Sequence, residues 1–343
     1  MNIGEYLITS EHKQSSGDAL GMELEVEFRR AFPFKNPGTT WLSKEEGSLR
    51  NFGVEFYSAH PVAPEFRRKE LDDLISYVKS NGAMDECPRA SFHVHMNVLD
   101  LTPIQVYTYA TVYWTLENLL FKYCGEKQRN GNLFCLRLTD APGILDILSS
   151  DIQYAGAPFK DIGTDNIRYA GLNLNAVRKF GTMEFRGMRC KLDSEYLDLW
   201  CESILSMKKN SLKYKSPLEV MEKYWSLNTS SPTEYLREFL PEKMVSFISS
   251  FPDWRKYLLN NNTDLTYFVL YNDWDSWKKK SDTYIENYKK KPRSTSIRTP
   301  TPTIDIFNNV LTGTALRNAA TIQEPNWNLT EQPDFEEDFD EGN

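Results

Sequence analysis

Residues 22 to 28 read MELEVEF, and on a strand Glu23, Glu25 and Glu27 share one face while Met22, Leu24, Val26 and Phe28 share the other. Same-face neighbours on one strand stand roughly 7 Å apart, where two carboxylates repel by about 2 kcal/mol at an effective dielectric of ~20. Such a row calls for bulk water or a counter-charge. The wet face of an antiparallel sheet supplies the first, and a bound cation supplies the second. Other segments keep the same parity. GVEFYS sets Glu55 against Val54 and Phe56, and SFHVHMN sets His93, His95 and Asn97 against Phe92, Val94 and Met96. TMEFRGM sets Glu184 and Arg186 against Met183 and Phe185, while AGLNLNAV alternates Leu172 and Leu174 with Asn173 and Asn175. Lysine, the common choice for a merely wet face, is absent from MELEVEF, GVEFYS, SFHVHMN and TMEFRGM. Strands laid side by side would bring these carboxylates and imidazoles onto one surface. Oxygen-rich ligation with one or two imidazoles suits Mg2+ or Mn2+ better than zinc.

Arg186 indicates a third party. A guanidinium beside carboxylate-bound cations matches phosphate oxygens and neutralises charge during phosphoryl transfer. Arg168, in DNIRYAGLNLNAV, is a second candidate for that role. The chain has neither a GxxxxGK[ST] loop nor a GxGxxG turn, so a nucleotide would be held by the sheet and its cations.

The elements that position these residues are legible in outline. Strand-like segments run from about residue 20 to 190, interrupted by two helices. The first, EFRRKELDDLISYVKS, stops at Asn81-Gly82, residues suited to a left-handed cap. The second starts at Thr102-Pro103-Ile104-Gln105, with proline in the first turn and glutamine closing a capping box, and ends at Gly125. After Asp193 the texture turns helical: DSEYLDLWCESILSMKKN has acids first and lysines last, as the helix dipole favours. Ser216-Pro217-Leu218-Glu219 and Ser231-Pro232-Thr233-Glu234 repeat the capping-box pattern. Residues 1–192 read as a sheet-and-helix catalytic region, 193–290 as a helical region completing it, and 291–343 as a Pro/Thr linker with an acidic, disordered tail. That tail, DFEEDFDEGN, is either solubilising or a docking segment for another protein.

The bulk composition fits a full hydrophobic core in 343 residues, 40% of them hydrophobic. No apolar run approaches a membrane span and the N-terminus lacks a signal-peptide stretch, so a cytoplasmic protein is expected. A formal charge of -8 argues against generic nucleic-acid binding. Five scattered cysteines without a CxxC pair imply neither a disulfide framework nor a Cys-rich zinc site, and read as packing residues.

The ordered set GMELEVEF, EEGSL with GVEFYSAHP, SFHVHMN, and RYAGLNLNAV with GTMEFRGM resembles the amidoligases, relatives of glutamine synthetase and glutamate-cysteine ligase. The resemblance covers roughly residues 20 to 192. It implies an α+β fold with an antiparallel sheet of the glutamine synthetase-like catalytic type packed on helices. It also implies an ATP-dependent carboxylate-amine ligase, working through an acyl phosphate on an amino-acid or peptide substrate with Mg2+ or Mn2+. By similarity, Glu23 and Glu25 would hold two different cations, Glu55 would join the first, and His93 with Glu184 would complete the second. Glu46, in EEGSL, would add a ligand or contact substrate, at a place where family members more often carry Asp. His95 would lie near the nucleotide, and Arg168 and Arg186 would hold phosphates or developing charge. Glu27 receives no role and reads as facing solvent or supporting the ligands from behind. Relatives with this sheet sometimes complete the site between subunits, so a homo-oligomer is compatible, and family members occur in bacteria and their viruses. Two rival readings use the same residues: a metal-dependent hydrolase, which would need no ATP, and an inactive ligase-fold scaffold.

Overall fold

The alternating segments form a six-stranded antiparallel sheet, so the molecule is α+β. The computed structural model describes residues 1–290 apart from 8–16, 32–35, 86, 126–128, 130–131, 155–156, 160–161, 163–164, 229–230 and 260–262. The linker and acidic tail expected over 291–343 lie outside the described residues. In chain order the strands are β1 (Leu20–Phe28), β2 (Trp41–Glu45), β3 (Phe52–Ser58), β4 (Phe92–Asn97), β5 (Leu172–Asn173) and β6 (Thr182–Phe185). Across the sheet they run β2-β3-β1-β4-β6-β5, which puts MELEVEF at the centre with GVEFYS on one side and FHVHMN on the other.

Parity does what the sequence requires. Met22, Leu24, Val26, Phe28, Val54, Phe56, Phe92, Val94, Met96, Met183 and Phe185 are all buried on the apolar face. Helix α1 (Pro64–Ser80) ends at Asn81, after which Gly82 takes a φ of +81°, a conformation glycine adopts without strain. Helix α2 (Pro103–Tyr123) lies against the sheet, its Tyr109 and Tyr113 rings packing on Phe185 at centroid distances of 5.8 and 5.1 Å. It is apolar almost all round because helices cover its other side too.

From Ser194 onward the described chain is helical: α5 (Ser194–Ser211), α6 (Pro217–Trp225), α7 (Pro232–Phe239), α8 (Glu242–Ser249), α9 (Trp254–Leu259), α10 (Thr263–Tyr271) and α11 (Trp274–Lys290). Two shorter helices precede them, α3 (Gly143–Tyr154) and α4 (Asn175–Phe180). All five cysteines are free and buried, and burial pushes the thiols of Cys87 and Cys190 up, away from the nucleophilic thiolate.

Local expectations met different fates. Thr102 and Gln105 do reciprocate: the Gln105 N–H donates to Thr102 Oγ1 and the Thr102 N–H to Gln105 Oε1 at 2.8 Å. The boxes expected at Ser216 and Ser231 do not form. Their helices begin with proline where expected, but neither serine side chain caps, and Glu219 instead accepts from the Lys215 N–H at 2.7 Å. AGLNLNAV is strand only at Leu172–Asn173. Asn173 Oδ1 accepts from the Asn175 N–H at 2.9 Å and the chain turns into α4, so the local side-chain bond overrides the alternation.

One buried charge inside α2 yields a stability prediction. Glu117 is buried, accepts from the Leu138 N–H at 2.8 Å, and burial pushes its carboxyl up to about 8, against that bond and the Arg137 charge. A carboxyl raised in the folded state stabilises fully at pH values below its unfolded value, and that stability is lost as pH rises toward 8. Glu117→Gln keeps the acceptor and removes the titration. Thermal unfolding from pH 5 to 8 should therefore show a flatter pH dependence for the variant, with a gain of roughly 1–3 kcal/mol over the native chain at pH 8. An unchanged slope would refute the assignment.

Candidate metal centre

The register of the sheet assembles the polar face. Glu25 is the Cα partner of Glu55 across β1 and β3, and Lys44 is the partner of Glu55 across β2 and β3. Glu23 faces His93 across β1 and β4, where Gly21 faces His95; His95 faces Glu184, and Glu184 faces Asn173. Gly21 leaves room for the imidazole, since a Cβ there would stand 3.1 Å from the His95 Cβ and crowd it.

Two groups of ligand-type atoms result, each within a span of 4.8 Å: Glu23, His93 and Glu184, and Glu25, Glu46 and Glu55. This partition differs from the one the resemblance implied, which put Glu55 with Glu23. Strand pairing accounts for this grouping of atoms, since Glu55 lies directly across from Glu25, and Glu23 directly across from His93. His93 stands between the groups. Its Nδ1 is 3.3 Å from Glu23 Oε2 and 3.7 Å from Glu184 Oε1, and its Nε2 is 4.0 Å from Glu25 Oε1. That Nε2 is buried and has no hydrogen-bond partner. A buried imidazole nitrogen left unsatisfied beside a carboxylate is free to serve as a cation ligand.

Supporting bonds fix the ligands. Ser91 gives both its N–H and its hydroxyl to Glu25 Oε2, at 2.8 and 2.6 Å, which leaves Oε1 facing His93. Asn173 Nδ2 donates to Glu184 Oε2 at 2.6 Å, and Arg186 Nη1 pairs with Glu184 Oε1. His95 Nδ1 meets Thr182 Oγ1 at 3.0 Å and its Nε2 lies 3.3 Å from Glu23 Oε1. Glu46 accepts from the Ser48 N–H at 2.9 Å. Removing the Ser91 hydroxyl should loosen Glu25. Ser91→Ala is expected to weaken Mn2+ binding roughly tenfold in calorimetry without unfolding the protein; equal affinity would show that the backbone N–H alone suffices.

The electrostatics divide the carboxylates by their neighbours. Burial opposes ionisation of Glu23, but the imidazoles of His95 and His93 outweigh it and hold its carboxyl well below the usual range. Glu184 is likewise lowered, burial being outweighed by His95 and Arg186. In His95 the carboxylates of Glu23 and Glu184 overcome burial and raise the imidazole. Glu55 goes the other way: burial and the Glu23 charge push it up to about 7, against the pull of Lys44. Glu46 is lowered, with burial outweighed by its bonds to Ser48.

Carboxylates and one or two imidazoles in two adjacent groups, with an orphaned His93 Nε2 between them, fit a pair of hard divalent cations. Beside the Glu23 group opens a cleft of about 240 Å³ lined by Gly21, Tyr57, His60, His95, Phe180 and Thr182.

Residues 42–207 match the family model described as "Putative amidoligase enzyme". This segment is similar to the amidoligase family. The amidoligase match contains Glu46, Glu55, His93, His95, Arg168, Glu184 and Arg186; Glu23 and Glu25 precede it and enter through β1, which pairs with β3 and β4 of the amidoligase segment. No curated protein matches the chain. Among the described residues no helix is long and apolar enough to cross a membrane.

Seven expected residues gather on this face: Glu23, Glu25, Glu46, Glu55, His93, His95 and Glu184. Arg186 joins them through Glu184, and its Nε donates to the Phe134 carbonyl at 3.2 Å. Arg168 is exposed on a short 3₁₀ turn, with its guanidinium over the Tyr169 ring at 4.5 Å. Glu27 does not face solvent: it is buried and accepts from Asn51 Nδ2 at 2.6 Å. Three participants were missed from sequence. Ser91 lies one residue before its strand, Lys44 sits on the irregular strand WLSKE, and Arg129 reaches the site's backbone from a connecting segment, so no periodic signal marked them.

Proposed function

We propose that the protein is an ATP-dependent carboxylate-amine ligase, with the sheet serving as a catalytic surface of the glutamine synthetase type. The observation that carries the reading is the pair of acidic groups sharing His93 on one sheet face of an amidoligase segment. Glu23, His93 and Glu184 would hold one Mg2+, and Glu25, Glu46 and Glu55 the other. Bound there, magnesium would screen the phosphate charges and stabilise the transferring group.

The chemistry follows from the substrates. A carboxylate resists attack by an amine because oxide would have to leave. Its oxygen therefore takes the ATP γ-phosphoryl group, breaking the bond to the β-phosphate oxygen and releasing ADP. The amine nitrogen then attacks the acyl carbon, the bond to the phosphate oxygen breaks, and inorganic phosphate departs. Arg186, beside Glu184, offers its guanidinium to phosphate oxygens as negative charge accumulates, and the same role is assigned to Arg168. His95 orients the nucleotide side of the site from its place between Glu23 and Thr182. Glu46, the more exposed member of its group, would give one oxygen to the cation and take on the other the proton that the attacking amine sheds. The cleft at Tyr57 and Phe180 admits an amino-acid or peptide substrate, or the nucleotide.

Calorimetry with a non-hydrolysable ATP analogue tests this directly. Binding that requires Mg2+, together with ADP release when acids and amines are supplied, is the expected result. Cation binding with no nucleotide binding at all would overturn the ligase reading and favour a hydrolase.

A further inference from the structure

The Glu25–Glu46–Glu55 group already has a cation against it, supplied by the chain. Lys44 Nζ lies 2.8 Å from Glu55 Oε1. The two residues are Cα partners across β2 and β3, so the contact is built into the register. The partners are unequal: the Glu55 side chain is 7% exposed and that of Lys44 is 55% exposed. Glu55 is thus fixed on the sheet, while the ammonium rides on a flexible, solvated stem. The same Nζ stands 5.5 Å from the centre of the Tyr57 ring, and Tyr57 lines the cleft beside Glu23 and His95. A short swing of the stem would carry the charge from Glu55 toward that cleft.

We propose that Lys44 is a tethered counter-ion that occupies Glu55 until a divalent cation takes its place, and that the displaced ammonium then binds the anionic group of the substrate at the Tyr57 cleft. The inference rests on the cation reading of the Glu25–Glu46–Glu55 group. One ammonium satisfies three carboxylates only in part, so a divalent ion competes well for them. An ion pair to a half-exposed lysine is weak enough to be exchanged, and an ammonium that has lost the Glu55 oxygen to a divalent ion faces much less negative charge there and is drawn to phosphate or carboxylate. Lys44 accordingly couples cation loading to anion capture.

Substitution at Lys44 should move two affinities in opposite directions, which a purely structural role would not do. Mn2+ binding is measured on the full chain for the native protein, Lys44→Gln and Lys44→Arg, followed by binding of inorganic pyrophosphate at saturating Mn2+. The native chain should bind two Mn2+ ions. Lys44→Gln should tighten the weaker Mn2+ roughly five- to tenfold and weaken pyrophosphate by a similar factor, while Lys44→Arg stays near native in both. Two ions on the native chain with no tightening in Lys44→Gln, or both affinities shifting the same way, would overturn the role of Lys44 and leave the cation site standing. A native chain that binds no Mn2+ would overturn both.

Discussion

A chain carrying Glu23→Ala and Glu184→Ala together is expected to lose one bound cation entirely and, with it, Mg2+-dependent nucleotide binding. Both carboxylates face His93 Nδ1, at 3.3 and 3.7 Å, and without them that imidazole has no acidic neighbour on its Nδ1 side within the group. Replacing a residue that merely supports a metal ligand costs 10- to 100-fold in affinity as a rule, so removing two ligands outright should cost at least about 100-fold. Mn2+ stoichiometry should fall from two to one. The fold should survive, because the apolar face that packs the sheet on its helices is untouched; circular dichroism and the thermal midpoint check this. A second readout is independent of any ion. Glu23 and Glu184 raise the His95 imidazole against burial, so its titration, followed by NMR in the metal-free protein, should move down in the double variant. In the native chain that raised imidazole stabilises below its unfolded value, and the contribution is lost as pH climbs through the folded one. The variant should lack this component. Retained two-ion binding, or an unmoved His95, would overturn the placement of the site.

Arg129→Met should destabilise the protein by about 3 kcal/mol, lowering the thermal midpoint by roughly 6–12 °C. Arg129 is 1% exposed, and its guanidinium holds two successive carbonyls, with Nε donating to Gly187 at 3.0 Å and Nη2 donating to Arg186 at 2.7 Å. Methionine fills much of the same volume but leaves both acceptors without their donor in a buried setting. The effect should reach the site, because the clamped segment carries Arg186 and follows directly on Glu184. Weaker Mn2+ binding is therefore expected alongside the loss of stability. Arg129→Lys keeps the charge but not the fork, and should fall between native and Arg129→Met. A midpoint within a degree of native for Arg129→Met would show that the two carbonyls find other donors.

The division of labour between sequence and structure follows from the range of the forces involved. Which side chains share a face is readable along the chain, because the two-residue period of a strand is a property of the local backbone. MELEVEF, GVEFYS, FHVHMN and TMEF each bury their apolar set, and each turns its glutamates and histidines the other way. The α1 stop at Asn81-Gly82 and the Thr102–Gln105 cap were legible for the same reason, being settled within one turn of chain. Short motifs in fixed order also sufficed to point at the amidoligase family.

Which of those side chains meet is set by long-range packing. Register between strands far apart in sequence put Glu55 with Glu25, and Glu23 with His93 and Glu184. Contacts across long loops brought in Ser91 beneath Glu25, Lys44 against Glu55 and Arg129 behind Arg186. Glu27, on the same face of the same strand as two candidate ligands, is drawn off by Asn51. Parity places a carboxylate on a surface, but its work there is set by the groups that the fold brings within hydrogen-bonding distance.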